Sequence, residues 1–234
     1  MLLFILGALG LLIFIALATF RTAQFLRTNP ELPNLLLLPG ENLIRFVMIL
    51  VCITLAELSG LPGARFGWEP SDAVRDLSFG IGIGILIAII LPPLTRIAIA
   101  RFGSQVYSPA VIRYILPRTP DEWWFVPFAL VPAVFLEEMI FRSLLLGGFS
   151  DFVHPLLLAL IWSVIFGALH LPQGALGMIV AGALGLLFSI LFLARDSILV
   201  PFAAHYVINL LQLVWASQDK TWLEHYEKNS RRDS

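Results

Sequence analysis

The chain has 234 residues, 59% of them hydrophobic and 13% charged, with a formal net charge of −1 and a mean hydropathy of +0.88. A soluble domain carries about 25% charged residues, so the composition excludes that class and points to an all-α, polytopic membrane protein. The near-neutral charge gives no nucleic-acid-binding face, and a lone cysteine, Cys52, excludes an intrachain disulfide and a cysteine-built metal cluster.

The length fits a single integral membrane domain, 1–234, with N-terminal helices in 1–100, a core at 119–216 and a polar tail at 217–234. Apolar runs predict about seven transmembrane helices. Span 1 covers about 2–20. It has no basic residue before it and is long enough to cross, so it reads as a retained helix rather than a signal peptide. A linker with Arg21, Arg27, Pro30 and Pro33 follows. Span 2 covers about 42–62, with Arg45 near its start, where it reads as a snorkelling interfacial residue. Cys52 reads as a small buried hydrophobe. Span 3 covers about 77–95. Gly80 and Gly84 share one of its faces and allow close helix contact, and Pro92-Pro93 kink or end it. Residues 96–118 alternate Arg96, Arg101, Arg113 and Arg118 with apolar side chains. They read equally as an amphipathic interfacial helix or as a loop with a short helix.

Thr119-Pro120-Asp121-Glu122 predicts a helix start, with Thr119 as N-cap and Glu122 completing a capping box. Trp123-Trp124 mark the membrane interface. Span 4 then runs to about Leu146, kinked by Pro127 and Pro132 and closed by Gly147-Gly148. Span 5 covers about 154–171, with His154 interfacial. Span 6 covers about 175–194, and its Gly177, Ala181 and Gly185 form a small-residue face. Span 7 covers about 198–216. With the N-terminus outside, Arg21, Arg27, Arg96, Arg101, Arg113, Arg118, Lys220, Lys228, Arg231 and Arg232 fall inside, against Arg65, Arg75 and Arg195 outside. That asymmetry predicts a cell-membrane protein with a cytoplasmic C-terminus.

Polar residues interrupt three of these spans: Glu137, Glu138 and Arg142, then His170 four residues after Phe166, then His205 four residues before Asn209. At mid-membrane each charge costs at least ~2.5–3.5 kcal/mol, so such residues are functional candidates by default. Four-residue spacing puts Glu138 with Arg142, Phe166 with His170, and His205 with Asn209 on common faces. The adjacent acids point about 100° apart, so one is expected to face a cavity while the other pairs with Arg142. Singly, each has a structural reading. Glu138–Arg142 could be a buried bridge, a lone histidine a packing residue, and Asn209 an interhelical hydrogen bond. Together they amount to the set needed to activate a water inside a membrane.

Two chemistries fit. In one, a glutamate is the general base for a water, helped by one histidine, while the other histidine and the asparagine stabilise the oxyanion. In the other, Glu137, His170 and His205 hold a zinc ion that acidifies the water. No HExxH sequence is present. Two non-hydrolytic classes also remain: a proton-coupled transporter using the same side chains, and an immunity or peptide-binding protein without catalysis.

At these residues the sequence resembles the CaaX prenyl endopeptidase and bacteriocin-processing (CPBP, or Abi) intramembrane proteases. Their pattern EExxxR, FxxxH, HxxxN is met in order by Glu137-Glu138-x-x-x-Arg142, Phe166-x-x-x-His170 and His205-x-x-x-Asn209. The similarity covers roughly 119–216. The resemblance implies an all-helical endopeptidase cleaving a membrane-associated, prenylated CaaX-type peptide or protein. It implies Glu137 as general base, His170 as the residue orienting the water, and His205 and Asn209 as oxyanion stabilisers. Glu138, Arg142 and Phe166 would be supporting residues. No cofactor is expected, with zinc as the alternative.

Overall fold

The computed structural model describes residues 1–28 and 33–219. Among these there is no β-strand. The chain forms α1 (Leu2–Thr28), α2 (Pro39–Ser59), α3 (Ala73–Phe102), α4 (Ala110–Ile115), α5 (Glu122–Glu138) with a π-helical continuation (Met139–Gly147), α6 (Pro155–Ala168), α7 (Gly174–Arg195) and α8 (Leu199–Gln218). It is an all-α membrane bundle.

Connections collect at two opposite ends. At the first end, Arg65 after α2 pairs with Asp151 before α6 at 2.7 Å, and Ile198 N–H donates to the Gly67 carbonyl at 3.0 Å. Arg195 at the end of α7 reaches buried Asp76 in the first turn of α3 at 2.7 Å. At the second end, Leu35 N–H donates to Tyr114 O at 2.9 Å and Ser108 N–H to Gln173 O at 2.8 Å. Arg96 there pairs with Asp219 at 2.6 Å.

Glycines set the two closest helix pairings. A Cβ on Gly80 would collide with Val200 O, and one on Gly84 would lie 2.8 Å from Ala204 O, so α3 meets α8 backbone to backbone. A Cβ on Gly167 would lie 2.6 Å from Met178 O, bringing α6 as tightly against α7. The small-residue face Gly177, Ala181, Gly185 is buried, and it is this α6–α7 seam that Gly185 lines. Outward faces of α1, α2 and α3 carry exposed Leu, Ile and Phe, as lipid-facing helices must. Cys52 is buried.

Several sequence expectations are corrected. Helix α1 does not stop at a linker beginning with Arg21 but continues to Thr28. Pro92-Pro93 do not end α3, which runs on to Phe102; membrane helices tolerate proline because neighbours satisfy the freed carbonyls. Residues 96–118 are therefore not one amphipathic helix. Their first third belongs to α3, and a 3-10 turn (Ser104–Val106) and the short α4 follow, which is the loop-and-helix reading. Thr119 Oγ1 does accept from Glu122 N–H at 3.3 Å, but Glu122 Oε2 accepts from Arg118 N–H at 2.8 Å, one residue earlier than a capping box requires. Among the described residues six segments are long and apolar enough to cross a membrane, and the remaining predicted span, α6, is apolar but has 14 residues. At 1.5 Å per residue it spans about 21 Å, short of a ~30 Å hydrocarbon core, yet it joins the two ends. Pro30, Lys220, Lys228, Arg231, Arg232 and nearly all of the polar tail lie outside the described residues.

Candidate active site

Glu137 and Glu138 end α5, and the helix widens immediately after them. Gly148 N–H donates to Ser143 O at 3.0 Å, an i to i−5 bond, and every residue from Met139 to Gly147 is buried. Single π turns inside helices occur frequently at functional sites. Here the turn is the centre of the bundle. Ser143 Oγ donates to Phe66 O at 2.6 Å and accepts from Trp68 Nε1 at 3.2 Å, binding the loop after α2 onto it.

The adjacent acids part as their 100° offset requires. Glu138 is fully buried, and Arg142 one turn on is 1% exposed. Arg142 Nη1 donates to Glu138 Oε1 at 3.3 Å, and its Nε lies 3.2 Å from Oε2. Arg142 Nη2 donates to the Gly185 carbonyl at 2.9 Å. The guanidinium also lies 5.0 Å from the Phe166 ring centre and 5.3 Å from that of Phe188. A buried charge left without such partners would be strongly destabilising. The Glu137 side chain is instead 42% exposed, although its Oε2 is enclosed and makes no hydrogen bond.

Helix α8 inserts His205 between the two acids. Its Nδ1 lies 2.7 Å from Glu138 Oε1. A carboxylate oxygen accepts, so Nδ1 carries the proton. Nε2 faces Glu137 Oε2 at 3.7 Å, too far for a direct hydrogen bond. The ring stacks on Phe188 at 5.0 Å and meets Phe166 edge-on at 6.1 Å, which fixes its plane.

His170 sits differently from the sequence expectation. Helix α6 ends at Ala168, so His170 stands in the following turn at the second end of the bundle. Its Nδ1 lies 2.7 Å from the Phe166 carbonyl. That carbonyl can only accept, so Nδ1 is the donor and Nε2 presents its lone pair. The His170 and Phe166 rings are 4.7 Å apart. Phe166 thus touches His170, His205 and Arg142 at once. Asn209, one turn beyond His205, is partly buried and makes none of these contacts.

The structure therefore gathers Glu137, Glu138, Arg142, His205 and Phe166, with His170 attached through the Phe166 ring. Among the described residues no three His, Cys, Asp or Glu side chains are grouped to hold a metal ion. The set Glu137, His170, His205 does not fit zinc in this arrangement. Two clefts open nearby, one between α2 and α5 and one between α3, α4 and α8, and neither is lined by Glu137, His170, His205 or Asn209. Sequence reasoning missed Phe188 and the Gly185 carbonyl. Both were within reach of it, since Phe188 follows Gly185 by three residues on the face already marked as a packing stripe. Tyr206, whose hydroxyl donates to Pro127 O at 3.1 Å, carried no such signal.

Residues 119–211 match the family model of type II CAAX prenyl endopeptidase Rce1-like proteins. This stretch contains all three motifs and runs from the start of α5 through most of α8, and it agrees with the CPBP/CaaX resemblance read from them. It supports a CAAX-type intramembrane protease in an integral, multi-pass membrane protein. No curated protein and no solved structure matches the chain.

Proposed function

We propose that this chain is an intramembrane glutamate endopeptidase that hydrolyses a peptide bond in a membrane-associated substrate, a prenylated CaaX-type peptide or protein. The observation that carries this reading is the division of labour between the adjacent acids. Glu138 is committed to Arg142 and His205, whereas Glu137 is accessible and holds an unpartnered oxygen beside His205.

In the proposed reaction Glu137 takes a proton from water as the oxygen attacks the scissile carbonyl carbon. His170 orients that water through the Nε2 lone pair left free by its bond to Phe166 O. The carbonyl π electrons move to oxygen, and the oxyanion is met by His205 and by the Asn209 amide. Collapse breaks the C–N bond, and the departing nitrogen takes the proton from Glu137. One water is consumed and no cofactor enters. Arg142 and Glu138 hold His205 so that it need not reorganise. The end of the bundle bearing Arg96, Arg101, Arg113 and Arg118 is proposed as the cytoplasmic one.

The test is cleavage of a farnesylated peptide by purified protein in detergent, read by mass spectrometry, with and without a metal chelator. Expected is cleavage that survives the chelator and is lost in Glu137→Gln. Chelator-sensitive cleavage restored by zinc would overturn the glutamate mechanism. Ion or proton transport in liposomes with no cleavage would overturn the peptidase reading.

A further inference from the structure

We infer that Arg45 binds the C-terminal carboxylate of the substrate, received in the apolar cleft between α2 and α5; this rests on the peptidase reading above. The cleft is lined by Leu37, Asn42 and Phe46 on one side and by Phe125, Phe128, Ala129 and Pro132 on the other, with a volume of about 430 Å³. Asn42 is its one polar lining residue. Pro132 lies on α5 five residues before Glu137, so the cleft's far wall leads along that helix toward the proposed base.

Arg45 stands beside this wall. Its Nη1 donates to Asn42 Oδ1 at 3.0 Å and reaches Leu36 O at 3.5 Å. These contacts tether one nitrogen of the guanidinium to a cleft residue. Among the described residues no carboxylate lies within ion-pair distance of it, and its Nε and Nη2 make no hydrogen bond. Arg45 is half-buried in the second turn of α2. The remaining fork matches a carboxylate, which arginine binds bidentately. Glu41, four residues before it on α2, and Glu137 both act on the Arg45 charge. Apolar walls with a cation bonded to their one polar residue fit a chain end with apolar side chains and a terminal anion. A neutral internal segment would leave the cation unused.

The experiment compares two farnesylated peptides with three apolar residues after the cysteine, one with a free C-terminal acid and one with a C-terminal amide. Full-length wild type, Arg45→Gln and Arg45→Lys are assayed on both. Wild type is expected to favour the acid by about 10- to 100-fold in kcat/KM, the worth of a charged hydrogen bond. Arg45→Gln should lose this preference by slowing on the acid alone, and Arg45→Lys should keep part of it. Thermal unfolding of Arg45→Gln beside wild type in the same detergent shows that the variant folds. The wild-type acid-to-amide ratio reads the proposal without any substitution. Equal wild-type rates, or an Arg45→Gln variant slowed equally on both peptides, would overturn it while leaving the peptidase reading intact. A wild type that cleaves neither would overturn that reading and this inference with it.

Discussion

His205 donates its Nδ1 proton to Glu138 Oε1 across 2.7 Å, and this single bond ties α8 to the point where α5 turns into a π-helix. Glu138 at the same time faces Arg142, so one buried carboxylate serves two cationic or donor groups on two helices. Its neighbour Glu137 has no such commitments. Adjacent identical residues are thereby given opposite tasks, and their substitutions should separate.

Glu137→Gln should abolish most peptide cleavage, by about 10²–10⁴-fold or more for loss of a general base, with little change in thermal unfolding. Glu138→Gln should cost about 3–5 kcal/mol, because it leaves buried Arg142 uncompensated, and activity should fall with it. The pair is distinguished by cleavage rate and thermal unfolding measured on the same detergent preparations. Equal loss of stability in both variants would contradict the assignment.

Arg142→Lys keeps the charge but not the fork. Lysine cannot hold both Glu138 oxygens and the Gly185 carbonyl together, nor can it lie flat between Phe166 and Phe188. A loss of about 1–3 kcal/mol is expected, the worth of one or two charged hydrogen bonds. Cleavage should fall because Glu138 no longer fixes His205. Wild-type melting and wild-type rate in this variant would show that the fork is dispensable.

Gly80 and Gly82 make a control pair on one helix. Gly80→Ala drives a methyl into the Val200 carbonyl, whereas Gly82→Ala meets nothing within 4 Å. Overpacking should cost Gly80→Ala about 1–3 kcal/mol. Gly82→Ala should be neutral or stabilising by up to about 1 kcal/mol from helix propensity. Unfolding curves in one detergent decide it, and a reversed order would mean that α3 and α8 are not packed as described.

Phe188→Leu removes the ring stacked on His205 at 5.0 Å and facing Arg142 at 5.3 Å. The apolar volume is largely kept, so stability should drop by less than about 1.5 kcal/mol. The cleavage rate should fall more steeply than stability, because the His205 plane is freed. Parallel losses in rate and melting temperature would instead mark Phe188 as packing alone.

Much of the membrane architecture could be read from composition, because lipid demands long apolar helices with few charges. The spacing Glu138–Arg142 announced a pair on one face, and the pair is there. Gly80, Gly84 and Gly185 announced close helix contacts and make them. Helix ends were less legible. Pro92-Pro93 read as a kink or a stop, and α3 continues through them, since the neighbouring bundle rather than local propensity decides whether a broken ladder is tolerated. Span 5 read as a full crossing, whereas α6 ends at Ala168 and leaves His170 in a turn.

The three motifs picked out Glu137, Glu138, Arg142, Phe166 and His205, which meet in the structure, because ionisable groups in hydrocarbon persist only when function or partners require them; they also picked out Asn209, which makes none of these contacts. They could not say which nitrogen of His205 meets which acid, or that Phe166 touches three of the polar residues. Those relations depend on how α6, α7 and α8 close around the π turn after Glu138. The turn is set by packing across the bundle, and no spacing within one helix records it.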